Sequence, residues 1–278
     1  MQINQAINSE APIGVFDSGV GGLTVAREIM RNLPNERIVY FGDTARVPYG
    51  GKSKDTVTQY SRQIIRFLKT QKVKAIVIAC NTASALALDT VEKELDIPIL
   101  GVIKAGAHVA AAATKTGKIG VIGTESTIRS RMYNKTIQEE NPSLTVYGKA
   151  CPLLCPLVEE GWLKDPVTDE VLRRYLKEPM EAGIDTLILG CTHYPLLRSA
   201  VRDIVGEKIQ LVNPAYETAC ELKELLTENQ LLNTKDHSGS KEPYRFYVSD
   251  LADKFKVFAN SILPYDVETI QKINIEEF

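Results

Sequence analysis

Two segments of the chain share one design: AIVIACNTA at residues 75–83 and TLILGCTHY at residues 186–194. Each begins with a short apolar run and then reaches a cysteine, Cys80 or Cys191, which is followed by polar residues able to start a helix. Fully apolar runs are typical of parallel strands, because helices cover both faces of a parallel sheet. A strand that leads into a helix is the repeating unit of α/β proteins, so we expect that fold class.

The other apolar runs recur in the same order at nearly one spacing. Four pairs align: residues 13–16 with 119–122 and 40–42 with 146–148 at an offset of 106, 75–80 with 186–191 at 111, and 97–100 with 209–212 at 112. Chance matching among strands rich in valine and isoleucine is one explanation. An internal duplication is the other, and it predicts two similar α/β lobes with mostly parallel sheets, related by a pseudo-two-fold axis. The strand ends of both lobes would then face a shared cleft, where we expect the active site.

The lobe boundaries are predicted where apolar runs end in turn residues. The chain would cross between lobes near residues 101–105 and return near residues 213–215. These positions divide the chain into a discontinuous first lobe, residues 1–103 and 215–278, and a second lobe, residues 104–214. The polar stretch NTKDHSGSKEP at 233–243 is expected to be a surface loop.

Composition excludes several classes of protein. The chain has 278 residues, 44% of them hydrophobic and 24% charged, and a net charge of -2, so no broad basic field is available for nucleic acid or an anionic membrane surface. No apolar run approaches the roughly 18 residues of a transmembrane helix, and the first ten residues lack the features of a signal peptide. We therefore expect a cytoplasmic protein. Five cysteines in so long a chain do not suggest a disulfide framework.

Cys80 and Cys191 are the strongest candidates for chemistry. Either thiol alone could be buried filler, since free cysteine is often buried. At equivalent positions of two facing lobes, however, they would lie on opposite sides of one small ligand. A thiolate on one side could remove a proton from a stereocentre, and the thiol opposite could return a proton to the other face, which inverts the centre. A helix start is expected to lower each thiol pKa below its usual value of about 8.5.

A glycine-rich turn follows the first predicted strand. Asp17 and Ser18 precede Gly19-Val20-Gly21-Gly22, whose N–H groups could bind a carboxylate, although a turn needed only for packing is the alternative. The dinucleotide fingerprint G-x-G-x-x-G fails, because Thr24 stands where its last glycine is required. This favours an amino-acid or carboxylate ligand over a nucleotide. Asp17 could bind a substrate ammonium group, orient Cys80 or cap the following helix.

The remaining polar candidates carry weaker signals. His193 could form a hydrogen bond with Cys191 or shuttle a proton, and Tyr49 lies in a turn that could close over a ligand. Cys151 and Cys155 have no second Cys/His pair near them in sequence, so we interpret both as core and expect neither a metal nor a cofactor. Glu159 follows them on what would ordinarily be a solvated face.

Taken together, these segments resemble the cofactor-independent glutamate racemases. The matching motifs are DSGVGGL at 17–23, YFGDTARVPYG at 40–50, IACNTASA at 78–85, GVI at 101–103, LVEEG at 157–161 and LGCTHYPLL at 189–197. The resemblance implies interconversion of L- and D-glutamate without a cofactor or metal, which supplies D-glutamate for bacterial peptidoglycan. It also implies a two-lobed fold and a homodimer.

The resemblance assigns roles to individual residues. Cys80 would exchange the proton with the D-enantiomer, assisted by Asp17. Cys191 would exchange it with the L-enantiomer, assisted by His193 and Glu159. The residues that match substrate-contact motifs are Asp17, Ser18, Tyr49, Gly50, Asn81, Thr82, Thr124 and Thr192. Cys155 departs from the pattern, because relatives usually have valine or a similar apolar residue there.

Three alternatives stay open at this point. A racemase of the same plan could act on aspartate or another amino acid, since the cleft shape reads the side-chain length. A non-catalytic protein could close two lobes around an amino acid. A dehydrogenase is disfavoured by the broken glycine fingerprint.

Overall fold

The computed structural model describes residues 8–235 and 243–278. Within these ranges the strands are β1 (Ile13–Asp17), β2 (Ile38–Gly42), β3 (Ala75–Ile78), β4 (Ile99–Gly101), β5 (Lys118–Gly123), β6 (Thr145–Ala150), β7 (Thr186–Gly190), β8 (Gln210–Val212), β9 (Tyr244–Val248) and β10 (Ile270–Lys272). The α-helices are α1 (Leu23–Asn32), α2 (Lys54–Thr70), α3 (Asn81–Leu86), α4 (Leu88–Val91), α5 (Val102–Ala113), α6 (Glu125–Ser130), α7 (Met132–Glu140), α8 (Leu154–Glu159), α9 (Pro166–Glu181), α10 (Arg198–Val205), α11 (Pro214–Glu228) and α12 (Ala252–Ile262).

The strands form two separate sheets. The first has the order β10-β9-β2-β1-β3-β4, and the second has the order β6-β5-β7-β8. Every strand pair within the described residues is parallel. Helices cover both faces of each sheet, which is why β1, β3 and β7 are buried along their whole length. The predicted class, α/β with two lobes and mostly parallel sheets, is confirmed.

Strand order and register both reveal the internal repeat. The order β2-β1-β3-β4 matches β6-β5-β7-β8 position by position. Ile13 of β1 pairs with Ala75 of β3, and Ile119 of β5 pairs with Thr186 of β7, as the offsets 106 and 111 require. The fourth pair of runs agrees in the same way, because Ile76 pairs with Ile99 and Leu187 pairs with Leu211. Two of the three strand-to-strand registers are therefore the same in both lobes.

The alignment of β2 with β6 is wrong by two residues. Val15 pairs with Tyr40 in the first sheet, whereas Val121 pairs with Gly148 in the second, not with Val146. The cause is the environment of β6, which lies at the edge of its sheet and is only partly buried. Its sequence is under less pressure to be apolar than that of β2, which β9 covers on its outer edge.

The chain passes between the lobes at the ends of β4 and β8. Helix α5 packs against α11, which follows the return, and against α7 of the second sheet. Gly106 on α5 faces Pro214 at the start of α11, where an added Cβ would lie 2.9 Å from the proline ring. The segment after the return then supplies β9 and β10 to the first sheet. The lobe boundaries at residues 103/104 and 214/215 stay predictions.

Four apolar cores hold the two layered lobes together. One lies on each face of the first sheet and one on each face of the second. Ser53 is the N-cap of α2, since its hydroxyl accepts a hydrogen bond from the N–H of Thr56 at 3.3 Å.

Most of the predicted loop at 233–243, and the first seven of the ten N-terminal residues considered above, lie outside the described residues. None of the described helices is long and apolar enough to cross a bilayer.

Candidate active site

The carboxyl ends of three strands bring the predicted residues together. Asp17 is the last residue of β1, Cys80 follows β3, and Cys191 follows β7 directly. The lobes meet beside these strand ends, because the hydroxyl of Thr82, two residues after Cys80, lies 2.8 Å from that of Thr124 in the second lobe. The cleft between the sheets therefore holds one thiol from each lobe, as the repeat predicts.

Cys80 lies at the start of α3, where its sulfur acts as the helix cap. The N–H of Ala83 donates to the Sγ atom at 3.4 Å, and the thiol donates to the hydroxyl of Ser18 at 3.5 Å. Burial nevertheless raises the pKa of Cys80 to about 12, and the neighbouring Asp17 carboxylate raises it further. The expectation that the helix start lowers this pKa is wrong, because burial outweighs the helix N–H bond.

Asp17 is buried behind the glycine turn. One carboxylate oxygen, Oδ2, accepts a hydrogen bond from the N–H of Gly19 at 2.9 Å. The other, Oδ1, is buried without a hydrogen-bond partner among the described residues. Burial raises the pKa of Asp17, while the nearby His193 lowers it. A buried carboxylate oxygen that lacks a donor is suited to receive one from a bound ligand.

The second thiol is part of a chain of three polar groups. Nδ1 of His193 lies 3.8 Å from Sγ of Cys191, and Nε2 of His193 lies 3.0 Å from Oε1 of Glu159. Burial acts to lower the pKa of His193, but its bonds to Cys191 and Glu159 outweigh burial and raise it to about 10. The bond to His193 in turn holds the pKa of Glu159 below its usual range. This arrangement favours the protonated form of the imidazole beside Cys191.

The structure changes the interpretation of one of the two cysteines, Cys151 and Cys155, that were predicted to be core. Cys151 is fully buried core, as predicted. Cys155, on α8, is only partly buried and places its sulfur 3.5 Å from that of Cys191. Its partners, Cys191 and His193, are remote in sequence but near in space, so distance along the sequence did not exclude a Cys/His cluster.

The pKa of Cys191 also differs from the expectation. Its bond with Cys155, followed by burial, raises the pKa well above the usual value for a thiol, and His193 acts in the opposite direction. No α-helix begins directly after Cys191, because a short 3-10 helix (Tyr194–Leu197) precedes α10. The second thiol therefore lacks the helix start that was expected to lower its pKa.

Hydroxyl groups connect the lobes on one side of the cleft. The hydroxyl of Thr82 lies 2.8 Å from that of Thr124 and 3.3 Å from that of Thr127. The N–H of Ser126 donates to the carbonyl of Gly50 at 2.9 Å. Thr124 also caps α6, through the N–H of Thr127. The predicted residues Gly50, Thr82 and Thr124 are thus brought together at the boundary between the lobes.

Asn81 is held in place by a residue that the sequence did not single out. The hydroxyl of Tyr133, on α7, donates to Oδ1 of Asn81 at 2.7 Å, and both residues are buried. Thr127 and Tyr133 both come from the second lobe. Their positions in α6 and α7 follow no motif, so only the tertiary structure reveals them.

Thr192 meets the glycine turn on the other side of the cleft. Its carbonyl accepts a hydrogen bond from the hydroxyl of Thr24 at 2.9 Å. Gly21 lies so close that a Cβ there would be 2.3 Å from Oγ1 of Thr192 and 2.6 Å from the ring of His193. The glycine turn therefore serves close approach between the lobes.

Tyr49 is placed differently from its neighbours. Its side chain is buried in the core of the first lobe, and its hydroxyl donates to the carboxylate of Asp43. The Val47–Pro48 peptide bond that precedes it is cis.

An apolar cavity of about 600 Å³ opens beside Glu159, the outermost of the polar groups linked to Cys191. Its lining includes Gly19, Glu159, Leu163 and Phe258, but neither of the two cysteines. Phe258, on α12, also places its ring 6.3 Å from that of His193. Helix α12 thus lines a cavity beside the site, which no sequence motif indicated.

Two α/β lobes that present one cysteine each to a shared cleft define a racemase-type isomerase. The family model described as Asp/Glu/Hydantoin racemase matches residues 13–221, and the chain belongs to this family. The resemblance to glutamate racemases is confirmed at the level of whole chains. A glutamate racemase of Geobacter metallireducens is 48% identical over 95% of this chain and 97% of its own.

Solved structures agree with this family assignment. The glutamate racemase of Francisella tularensis, solved in complex with D-glutamate, has a TM-score of 0.90 at 39% identity and covers 97% of this chain and 100% of its own. The aspartate racemase of Picrophilus torridus has a TM-score of 0.53 at 17% identity, covering 80% of this chain and 99% of its own, and shares the fold alone.

Proposed function

We propose that this chain interconverts L- and D-glutamate by moving a proton between Cys80 and Cys191. The observation that carries the proposal is their placement, since each thiol follows an equivalent strand of a repeated lobe and the two lie across one cleft. The substrate is a small molecule, and the high identity to glutamate racemases over nearly the full chain supports glutamate. Aspartate is the alternative, supported only by shared fold.

The chemistry needs two groups in opposite protonation states. With D-glutamate bound, the Cys80 thiolate takes the Cα proton, the carbon becomes planar as charge develops, and the Cys191 thiol gives its proton to the other face. The product is L-glutamate, with Cys80 as thiol and Cys191 as thiolate. The reverse reaction starts from that state, so neither direction consumes a cofactor.

Asp17 and the substrate together would prepare Cys80. The ammonium group of glutamate is a donor for Oδ1 of Asp17, the buried oxygen that lacks a partner among the described residues. Positive charge at that point offsets the Asp17 carboxylate, which otherwise raises the pKa of Cys80. Substrate binding would therefore favour the thiolate when it is needed.

His193 and Glu159 would prepare Cys191. An imidazolium ion 3.8 Å from the sulfur stabilises a thiolate, and Glu159 stabilises the imidazolium. The residues proposed to bind the substrate are Ser18, Tyr49, Gly50, Asn81, Thr82, Thr124 and Thr192. The hydroxyls of Thr82 and Thr124 already meet between the lobes, so a carboxylate bound there would contact both lobes.

The biological role in the proposal is the supply of D-glutamate for peptidoglycan. A cytoplasmic location and a homodimer belong to the same proposal, and they are supported by the family resemblance. The homodimer is tested by the mass of the protein in solution, measured by light scattering.

Proton NMR in D₂O tests the reaction directly. Purified protein is incubated with L-glutamate and no added cofactor, and the product is analysed on a chiral column. Exchange of deuterium into Cα together with formation of D-glutamate is expected. Exchange with aspartate but not with glutamate would keep the mechanism and replace the substrate. No exchange with either amino acid, despite measurable binding, would point to a non-catalytic binding protein.

A further inference from the structure

Three soft donor atoms meet at the second thiol. Sγ of Cys155 lies 3.5 Å from Sγ of Cys191, which lies 3.8 Å from Nδ1 of His193. One donor atom from each of the three residues lies within 4.8 Å of both others. Racemisation by two thiols needs only one cysteine here, so Cys155 has no part in the proposed reaction.

These distances suit a tetrahedral zinc ion. With Zn–S bonds of about 2.3 Å and a Zn–N bond of about 2.0 Å, two sulfur ligands are about 3.8 Å apart and a sulfur and a nitrogen about 3.5 Å. In the structure the corresponding separations at Cys191 are 3.5 Å between the two sulfurs and 3.8 Å between sulfur and nitrogen. The third separation, between Cys155 and His193, is no more than 4.8 Å, and the Cys155 side chain is only partly buried.

The surroundings supply the outer contacts of a metal site as well. A zinc-binding histidine commonly donates its other ring N–H to a carboxylate, which fixes the ring. Nε2 of His193 already lies 3.0 Å from Oε1 of Glu159, which leaves Nδ1 facing the sulfur of Cys191. The set of two thiolates and an imidazole selects zinc and similar thiophilic ions over magnesium or calcium.

We propose that Cys155, Cys191 and His193 form a binding site for Zn²⁺, and that zinc bound there inhibits the enzyme. Both thiols and the Nδ1 atom of the His193 imidazolium would lose their protons to solvent, and His193 would bind through the neutral Nδ1. Water or a substrate carboxylate would complete the tetrahedron. The inhibition rests on the proposed function, because zinc would occupy the Cys191 sulfur that must exchange a proton. The binding of zinc does not depend on the proposed function.

A binding measurement tests the site without reference to activity. Reduced, metal-free protein is titrated with Co²⁺, and the sulfur-to-cobalt charge-transfer absorption is recorded; Zn²⁺ is then added to displace the cobalt. One ion per chain and the absorption of thiolate ligation are expected. Cys155→Ser should weaken binding at least about tenfold, since it removes one of three ligands.

Cys220 provides the matched control. It is also a partly buried free cysteine, but it lies on α11 and is not part of the cluster. Cys220→Ser should bind cobalt and zinc as the parent protein does. Equal affinity in the Cys155→Ser and parent proteins would overturn the proposed site.

Inhibition is measured separately, with each variant compared with its own rate in the absence of zinc. The parent should be inhibited by zinc and recover fully when a chelator is added, and Cys155→Ser should need at least about tenfold more zinc. Recovery with a thiol reductant but not with a chelator would show oxidation of the two sulfurs instead, and would overturn the zinc proposal. Metal binding without inhibition would keep the site and count against the role of Cys191.

Discussion

Gly21 of the first lobe lies close to Thr192 and His193 of the second lobe. Gly21→Ala would place a methyl group 2.3 Å from Oγ1 of Thr192 and 2.6 Å from the His193 ring. The segment that carries Thr192 and His193 must therefore move. A displacement of about 1 Å near reacting groups costs on the order of 100-fold in rate. We expect kcat to fall by about that factor, as measured by polarimetry.

Gly51→Ala is the matched control for this prediction. A Cβ at Gly51 meets no atom within 4 Å, and the residue lies on the exposed turn after Gly50. Its racemisation rate should equal that of the parent. If Gly21→Ala has normal kcat, the close packing at Gly21 does not position His193.

The two thiols make a second prediction at this scale. Cys80→Ser and Cys191→Ser are nearly isosteric, but serine is a far weaker acid, so each should lower racemisation by about 10³-fold or more. Circular dichroism should show an unchanged fold in both variants. Near-normal turnover in either variant would refute a mechanism with two thiols.

A β-chloro substrate analogue distinguishes the two faces. Elimination needs one base: it takes the Cα proton, and the C–Cl bond breaks to release chloride. Cys80→Ser keeps Cys191 and should eliminate from the L-analogue only, whereas Cys191→Ser should eliminate from the D-analogue only. If neither variant eliminates chloride from either enantiomer of the analogue, the assigned faces are contradicted.

Residue-scale features of the site were partly predictable. Asp17, Cys80 and Cys191 were found because strand ends in parallel sheets gather at one edge. Tyr133 and Cys155 were missed as parts of the site, because their contacts depend on how α7 and α8 pack, and no local pattern encodes that packing. The raised thiol pKa values were missed for a related reason, since burial is a property of the folded protein.

Among the elements, the start of β7 is anchored by one acidic side chain. Asp185 accepts hydrogen bonds from the N–H groups of Lys115 and Thr116, at 2.7 and 2.6 Å, and from the hydroxyls of Thr114 and Thr186. Partial burial acts to raise its pKa, but these bonds outweigh burial and lower the pKa from 3.8 to about 2. Asp185 thus fastens the loop after α5 to the second sheet.

Asp185→Asn should lower the free energy of unfolding by about 1–2 kcal/mol at pH 7, measured by urea denaturation. Because the folded-state pKa lies below the unfolded one, the contribution is fully present above about pH 4. It should shrink as the pH falls from 4 towards 2. The exposed Asp203→Asn serves as the control, and a difference that persists unchanged to pH 2 would contradict the assignment.

Element prediction succeeded where burial is complete and failed where it is partial. β1, β3, β5 and β7 lie in the interior of their sheets, so nearly every residue must be apolar and the runs are easy to align. β6, at an edge, was aligned two residues out of register. The repeat was visible because the interior strands retain it.

For the molecule as a whole, Lys74 joins three parts of the chain. Its buried ammonium group forms an ion pair with Glu36 at 2.5 Å and donates to the carbonyls of Ser9 and Leu231. Burial lowers the pKa of Lys74, while Glu36 acts to raise it. The residues before β1 and after α11 are thereby tied to the first sheet.

Lys74→Met should destabilise the protein by about 3–5 kcal/mol, because it leaves Glu36 buried without a counter-charge. Adding Glu36→Gln should recover part of that loss, since the buried charge is then gone. Thermal unfolding of the single and double variants measures both effects. Lys69→Met removes an exposed pair with Asp96 and should cost at most about 1 kcal/mol. If Lys74→Met is as stable as Lys69→Met, the role given to Lys74 is contradicted.

The unequal surroundings of the two thiols have a consequence for kinetics. Cys80 is beside a carboxylate, whereas Cys191 is beside an imidazole held by Glu159. Mirror-image amino acids have the same free energy in water, so the equilibrium constant of racemisation is one. The Haldane relation then requires kcat/KM to be equal for the two enantiomers. The asymmetry can appear only as compensating differences in kcat and KM between directions, and any substitution must change both specificity constants by one common factor.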